Sequence, residues 1–345
     1  MTEQKTEEQV KEEARPAQKT QLRGVVLLLV TAIIWGAAFV AQAIGMNAVG
    51  PLTFSGIRIL MGATVLLPIV IFKERRDWKA LTDETRAAHI QKSKKLLQSG
   101  LILGVVFAIA NNVQQFAIFH STPGKVAFIT ALYIFLVPVI ALIFFRRRIR
   151  PLTWVCIFFG IIGLYFLSID PGDLTVTIGD ILPFCCAIAF AVQITLVGLF
   201  SADTDGVRLA FLQFATAGIL TIILMFIFET PTLPAIREAL LPMLYAGVLS
   251  CGVGYTLQIV GQKYASASIS ALLLCMESVF AVLTQAVVMR QMLSTREMIG
   301  CGIMFAAIVL SQLAEQTAKN GTGENDVGEN DAGVPCKAPP HPRKP

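Results

Sequence analysis

Apolar stretches of about twenty residues recur along the chain, and most are separated by short polar segments. A helix of about 20 apolar residues crosses the ~30 Å hydrocarbon core of a bilayer. The pattern predicts ten such helices, at 24–43, 53–72, 98–118, 124–145, 151–169, 178–200, 208–228, 239–259, 267–289 and 295–315. Because most connections are short, neighbouring helices are expected to be antiparallel. The chain is therefore predicted to be an all-α membrane protein.

The overall composition agrees with the apolar pattern. Hydrophobic residues make up 55% of the chain and charged residues only 15%, whereas soluble domains usually carry about 25% charged residues. The one long connection, 73–97, is basic, and we expect it to be partly helical on the membrane surface. Residues 1–23 and 316–345 are polar tails, and the second is predicted to be disordered.

The distribution of Lys and Arg predicts the orientation in the membrane. With the N-terminus inside, the cytoplasmic segments carry 23 of the 28 Lys and Arg residues. Arg290 and Arg296 oppose this arrangement, but the charges in the first half of the chain dominate the orientation. We therefore expect a multi-pass plasma (inner) membrane protein with both termini in the cytoplasm. The net charge of +5 then reflects topology and contact with anionic membrane lipid, and no nucleic-acid binding is expected.

Two halves of the sequence resemble each other. Ala38–Gln42 is similar to Ala189–Gln193, and Gly104 and Gln115 stand where Gly247 and Gln258 stand in the second half. The halves are predicted to be residues 24–169 and 178–315. Because five helices per half is an odd number, the second half would be inverted relative to the first. Two inverted five-helix repeats predict alternating access to a site near the middle of the membrane.

Two charged residues lie five or more residues from either end of a predicted helix. Glu277 lies near the bilayer centre, where an ionised carboxylate costs about 2.5–3.5 kcal/mol. It could be a proton or cation site, or it could form a hydrogen bond that holds two helices together. Arg58 lies five residues into the second helix. It could attract an anionic group, pair with Glu277, or extend to the headgroups.

Several amides and aromatic residues also lie inside predicted helices. Such amides are costly against lipid, so they are expected to face the bundle interior. Taken singly, each could be an interhelical hydrogen bond worth about 0.6 kcal/mol. Taken together, they predict a polar and aromatic cavity that binds a small solute. The predicted substrate-binding residues are Trp35, Gln42, Arg58, Asn111, Gln115, Tyr133, Gln193, Tyr255, Gln258 and Glu277. Pro138 is a candidate kink.

The chain contains no phosphate-binding loop, no His-Glu-x-x-His and no Gly-x-Ser-x-Gly. We therefore predict that it is not an enzyme and that it needs no cofactor or metal. The expected partners are a small-molecule solute, membrane lipid and a coupling proton at Glu277.

Several short stretches resemble a known family. Ile34–Val40, Gly50–Phe54, Gly56–Arg58 and Leu136–Val139 are similar to the first repeat of the EamA family in the drug/metabolite transporter superfamily. Glu277–Ala281 is similar to the Glu-Pro-x-Phe-Ala stretch of the second repeat, with Ser278 in place of Pro. The resemblance implies a ten-helix inverted repeat and secondary transport. Members commonly carry Glu after helices 4 and 9, where this chain has Arg146–Arg148 and Arg290–Gln291.

The leading hypothesis is an exporter or exchanger of small metabolites, amino acids or drug-like solutes. One alternative is an organic-anion or nucleotide-sugar exchanger, which would need several cations in its cavity. Another is a protein that does not transport solutes, such as a lipid scramblase.

Overall fold

The computed structural model describes residues 7–120, 123–146, 151–168, 178–202 and 204–289, followed by 294–296, 298–300, 302–303, 305–307 and 309–310. Helices connected by short turns make up these described residues, which contain no β-strand. The predicted C-terminal tail, 316–345, lies outside them.

The first three helices are long. They are α1 (Glu7–Gly45), α2 (Pro51–Lys79) and α3 (Asp83–His120). The predicted surface connection 73–97 is therefore mostly a continuation of α2 and α3, and only residues 80–82 separate the two helices. The sequence predicted part of this helical structure, but not that the two membrane helices continue into it.

Shorter helices follow in the middle of the chain and alternate with long ones in the second part. They are α4 (Pro123–Thr130), α5 (Tyr133–Phe145), α6 (Pro151–Ser168), α7 (Ile178–Phe200), α8 (Gly206–Phe228), α9 (Leu233–Glu238), α10 (Leu240–Leu244), a π-helical segment (Tyr245–Tyr255), α11 (Thr256–Gly261), α12 (Ala267–Leu274) and α13 (Met276–Met289).

Within the described residues, seven helical stretches are long and apolar enough to cross a membrane. Three shorter apolar helices, Tyr133–Phe144, Pro151–Gly163 and Met298–Ala307, lie where the fourth, fifth and tenth spans are predicted. Large apolar side chains such as Phe144, Phe226 and Phe228 are mostly exposed, as expected for a surface in contact with lipid. The all-helical membrane fold is thus confirmed, and the ten-helix inverted repeat stays a prediction.

Helices α2, α3 and α8 pack very closely because glycines lie at their contacts. A Cβ atom on Gly218 of α8 would lie 2.5 Å from the Leu60 side chain of α2, and one on Gly104 of α3 would lie 2.4 Å from Thr216 of α8. Such distances leave no room for a larger residue without moving a helix. The three helices therefore form one tightly packed group, called here the α2–α3–α8 frame.

Polar contacts join α2 to α8 at both ends. At one end the Glu229 carboxylate accepts hydrogen bonds from the backbone N–H groups of Leu52 and Thr53, at 2.8 and 2.7 Å, and from the Thr53 hydroxyl at 2.6 Å. These N–H groups at the start of α2 have no partner within the helix. At the other end Lys73 Nζ lies 2.7 Å from Asp205 Oδ2. The frame is thus held at its two ends as well as along its length.

Candidate functional site

Three membrane helices depart from regular α-helical geometry. Between α4 and α5, the N–H of Ile134 donates to the carbonyl of Ala131, three residues earlier, at 3.0 Å. Between α12 and α13, the N–H of Ser278 donates to Cys275 in the same way, at 3.1 Å. The third departure is the eleven-residue π-helical segment. Tightened turns and π-helical turns inside helices are frequent at hinges and functional sites.

Pro138 lies inside α5 and not at either interruption. The interruption lies at 131–132, and a kink or a tolerated bend at Pro138 itself stays a prediction.

A cavity lies where these three departures meet. It is narrow in this conformation, with a volume of about 20 Å³, which is room for about one water molecule. Its walls come from α1, α2, α3, α4, α5, α7, α11, α13 and the π-helical segment, and its lining residues are Trp35, Ala38, Phe39, Gln42, Arg58, Gln114, Thr130, Tyr133, Phe190, Gln193, Ile194, Ser250, Tyr255, Gln258 and Glu277. The site is thus built from both halves of the sequence.

Arg58 is fully enclosed on one wall of the cavity, with 1% of its surface exposed. Its Nη2 group donates to the side-chain oxygens of Asn111 and of Gln115, the latter at 3.2 Å. Its Nη1 group lies 3.8 Å from the Cys251 sulfur. The side chain therefore points into the bundle and does not extend to the headgroups, which settles one alternative that the sequence left open.

Glu277 lies on another wall and is 4% exposed. Its Oε1 atom accepts a hydrogen bond from the Tyr133 hydroxyl at 3.1 Å. Tyr133 is the first residue of α5 and Glu277 the second residue of α13, so this hydrogen bond joins the two helices just after their interruptions. Within the described part of the chain, Arg58 and Glu277 form no ion pair with each other or with another residue.

Five residues that line the cavity each carry a buried polar atom without a hydrogen-bond partner among the described residues, and one of these atoms is the Thr130 hydroxyl oxygen. Of the other four, two are donors, Trp35 Nε1 and Arg58 Nε, and two are acceptors, Gln42 Oε1 and Gln258 Oε1. A buried polar group without a partner costs about 1–3 kcal/mol. All of these atoms belong to residues of one cavity, so their cost is concentrated there.

An aromatic cluster forms another part of the wall. The rings of Trp35 and Tyr255 lie 4.3 Å apart between centroids, and Phe107 packs edge-on against Tyr255 at 4.7 Å. Such rings provide a rigid apolar surface that could cover an uncharged part of a solute.

A row of glutamines continues from the cavity between α11, α7 and α8. Gln258 Nε2 donates to Gln193 Oε1 at 3.3 Å, and Gln193 Nε2 donates to Gln213 Oε1 at 3.4 Å. These hydrogen bonds join helices, which is one of the two roles that the sequence suggested for the buried amides. Gln193 and Gln258 also line the cavity. Gln193 and Gln258 therefore both join helices and contribute to the cavity wall.

Eight of the ten predicted site residues line the cavity. The other two, Asn111 and Gln115, lie behind Arg58 and bind its guanidinium group. Seven further lining residues lie outside the predicted set: Ala38, Phe39, Gln114, Thr130, Phe190, Ile194 and Ser250. Helical spacing could have found Thr130, which precedes Tyr133 by three residues, but nothing distinguished Ser250 from other small residues.

Comparison with known protein families identifies the same family that the sequence motifs resemble. The EamA-like transporter family matches the chain twice, over residues 22–169 and 177–313. The chain belongs to the EamA-like transporter family. This confirms the resemblance drawn from the sequence and makes the protein a membrane transporter.

Relatives of this EamA-like chain include two uncharacterized transporters. One, from Archaeoglobus fulgidus, is 24% identical over 286 residues, which cover 83% of this chain and 84% of the relative. The other, YoaV of Bacillus subtilis, is 20% identical over 225 residues, which cover 64% and 73% of the two chains. A solved crystal structure with 15% identity matches 86% of this chain and 98% of its own with a TM-score of 0.67. That similarity supports the fold alone.

Proposed function

We propose that this protein is a secondary active transporter that exports or exchanges small polar metabolites, amino acids or drug-like solutes across the plasma membrane. It would do so by alternating access, with ten transmembrane helices in two inverted repeats and both termini in the cytoplasm. The observation that carries the proposal is the set of unpartnered donors and acceptors on residues that line one cavity: Trp35, Gln42, Arg58, Thr130 and Gln258. A solute that binds there supplies the missing hydrogen bonds.

The two charged residues define the preferred solute. The guanidinium group of Arg58 would attract an anionic group, and Glu277 would attract a cationic or hydrogen-bond-donating group on the other side. The ring cluster of Trp35 and Tyr255 would cover an apolar portion. A small solute with polar groups of both kinds fits this wall best.

The cavity must open alternately to the two faces of the membrane, and the interrupted helices are suited to that movement. The α2–α3–α8 frame is closely packed and tied at both ends, so we assign it the fixed part. Helices α4–α5 and α12–α13 are interrupted beside the cavity at 131–132 and Cys275. Discontinuous helices at corresponding positions of two halves point to the binding site of a transporter.

Glu277 is the proposed coupling group. Its partner, Tyr133, is a donor that favours the carboxylate, while burial in the membrane opposes charge. A carboxyl group under these opposing influences can take up a proton on one side of the membrane and release it on the other. The Tyr133 bond links that event to the positions of α5 and α13.

An organic-anion or nucleotide-sugar exchanger is less well supported. Such solutes carry several negative charges and would need several cations around them. Among the described lining residues, Arg58 is the one cation. The liposome experiment below distinguishes lipid scrambling from solute transport.

The test uses the purified full-length protein in liposomes. Uptake of candidate amino acids, metabolites and drug-like solutes is measured with and without an imposed pH gradient. We expect gradient-stimulated uptake of at least one solute, loss of the stimulation in Glu277→Gln, and loss of uptake in Arg58→Gln.

The matched controls are Glu238→Gln and Arg237→Gln, which remove exposed charges on α9, and both should transport normally. Uptake that ignores the gradient and survives unchanged in Glu277→Gln would show that proton coupling at this residue is wrong. Lipid exchange between leaflets without solute uptake would favour the scramblase alternative.

A further inference from the structure

The ends of α2 and α3 beyond the predicted membrane boundary carry many charges of both signs. The sequence of α2 here reads Lys73-Glu-Arg-Arg-Asp-Trp-Lys79, with no separation of acids from bases. The folded structure does separate them. This part, residues 73–97, is called here the α2–α3 hairpin.

The acidic side chains of α2 turn towards the bundle. Arg208 of α8 lies 3.2 Å from Glu74 and 2.6 Å from Asp77. Glu74 also contacts His89 of α3 at 3.1 Å. Arg208 is itself largely buried, so it neutralises Glu74 and Asp77 from the inside.

Apart from Lys73, which pairs with Asp205, several basic side chains are exposed on the outside of the hairpin. Arg75, Lys79, Lys92 and Lys94 are exposed and make no ion pair or hydrogen bond with a described residue. Arg76 contacts Asp77 only at 3.3 Å and keeps 67% of its side chain exposed. The exposed side chains described on this surface are therefore mainly cationic, and Arg75, Lys79, Lys92 and Lys94 have no ion-pair partner among the described residues.

These cationic side chains lie at the depth of the lipid headgroups. The predicted spans end at residue 72 and begin again at 98, so all five cations lie within seven residues of a boundary. At 1.5 Å per helical residue that is about 10 Å or less, comparable with the headgroup layer. Trp78, which is 48% exposed, is a residue type favoured at this interface.

We propose that the cationic outer face of the α2–α3 hairpin binds anionic phospholipid headgroups of the adjacent leaflet. Clustered Lys and Arg next to a membrane helix attract anionic lipid, and the attraction extends over about one Debye length, near 10 Å. A soluble anion would have to compete with headgroups that are already within that distance. The proposal does not depend on what the cavity transports.

The experiment is native mass spectrometry of the full-length protein with phosphatidylglycerol or phosphatidylcholine added to the detergent. We expect wild type to retain phosphatidylglycerol preferentially. The preference should fall about fivefold for each cation removed, in Lys79→Gln and further in Lys92→Gln/Lys94→Gln. Added salt should weaken it in the wild type.

Arg237→Gln is the matched control for Lys79→Gln, because it removes one exposed cation from α9, far from the hairpin in sequence. It should keep the wild-type preference. Equal loss in Arg237→Gln, or an unchanged preference in the hairpin variants, would overturn the proposal. Displacement of the lipid by inorganic phosphate at constant ionic strength would also overturn it, because the site would then bind free phosphate. Unfolding temperatures identify any variant that fails to fold.

Discussion

Arg58 is held inside the membrane by neutral partners, which leaves its positive charge uncompensated. Asn111 and Gln115 supply acceptor oxygens, and Asn111 in turn donates to Ser55. A buried ion is costly, but hydrogen bonds reduce the cost while keeping the charge available. This suits a group that must meet an incoming anion better than a closed ion pair would.

The Arg58 network predicts an order of stabilities. Asn111→Leu should lower the free energy of unfolding by about 1–3 kcal/mol, because it leaves a buried guanidinium group short of a partner. Adding Arg58→Met to that variant should restore much of the loss, because the charge is removed as well. Unfolding midpoints in detergent measure both effects. If the double variant is less stable than Asn111→Leu, the network does not carry the cost assigned to it.

Asp205 has two roles that substitutions can separate. Its carboxylate accepts from the N–H groups of Val207 and Arg208, both at 3.0 Å, and it pairs with Lys73. Asp205→Asn keeps an N-cap and loses the ion pair, so it should cost about 0.2–1 kcal/mol. Asp205→Ala also loses the cap and should cost about 1 kcal/mol more. Thermal unfolding at neutral pH tests the order.

The same residue predicts a pH dependence. Burial alone would raise the pKa of Asp205, but hydrogen bonds from Lys73 and the Arg208 backbone hold that pKa below 3.8. A carboxyl with a lowered pKa stabilises the fold at neutral pH and ceases to do so as the pH falls through that pKa. The stability difference between wild type and Asp205→Asn should therefore shrink below about pH 4. A difference that persists there would contradict the assigned charge effect.

Sequence reasoning could predict that polar residues face inwards but not which partners they find. Glu277 and the amides of α3 had to avoid lipid, and the structure buries them. The direction of Arg58 depends on how α2 is rotated about its axis, which no local pattern specifies. The Tyr133 partner of Glu277 lies 144 residues away in the chain, and only the assembled bundle brings them together.

At the scale of the helices, close contact between α1 and α13 depends on one glycine. A Cβ atom on Gly36 would lie 2.5 Å from the Cβ of Phe280 and 2.7 Å from the backbone nitrogen of Ala281. Backbone atoms cannot rotate away, so the helices would have to separate. Gly36 also lies next to Trp35 on the cavity wall, so this contact also positions the site.

Gly36→Ala should therefore destabilise the protein by about 1–3 kcal/mol and reduce transport. Gly302→Ala is the matched control, because a Cβ there meets no atom within 4 Å and alanine favours helix by up to ~1 kcal/mol. Unfolding midpoints and liposome uptake check the pair. Equal effects of the two substitutions would show that the close contact is unimportant.

The helix interruptions were beyond sequence prediction for a clear reason. Ala131, Leu132 and Cys275 are ordinary helix-compatible residues, and neither interruption contains proline or glycine. Pro138, the residue at which the sequence predicted a kink or a tolerated bend, lies inside α5 and not at an interruption. The interruptions therefore arise from packing around the cavity, whereas the apolar spans themselves follow from composition and could be predicted.

At the scale of the whole molecule, the two ties between α2 and α8 determine which parts can move. A disulfide between Leu60→Cys and Gly218→Cys should form readily, because a Cβ on Gly218 lies 2.8 Å from the Leu60 Cγ atom, near the position of the new sulfur. Since both helices belong to the frame, the oxidised variant should keep most of its transport activity.

A second disulfide should have the opposite effect. A Cβ atom on Gly198 of α7 would lie 3.6 Å from the Cβ of Ala267 in α12, which is a suitable distance for a disulfide. Because α12 belongs to the proposed moving part, oxidation of Gly198→Cys/Ala267→Cys should remove most uptake, and a reductant should restore it. Each single-cysteine variant controls for the native cysteines. Inhibition by the α2–α8 disulfide and not by this one would reverse the assignment of fixed and moving parts.

The contacts between α2 and α8 can form only after α8 has been synthesised. Leu52 and Glu229 are 177 residues apart, and Lys73 and Asp205 are 132 apart. At about 5–20 residues per second, α2 leaves the ribosome roughly 7–35 seconds before α8. Until then the first N–H groups of α2 must find other partners, in lipid headgroups, water or the insertion machinery. The nascent chain is therefore most vulnerable once its first half is made, and α8 is the helix whose arrival stabilises it.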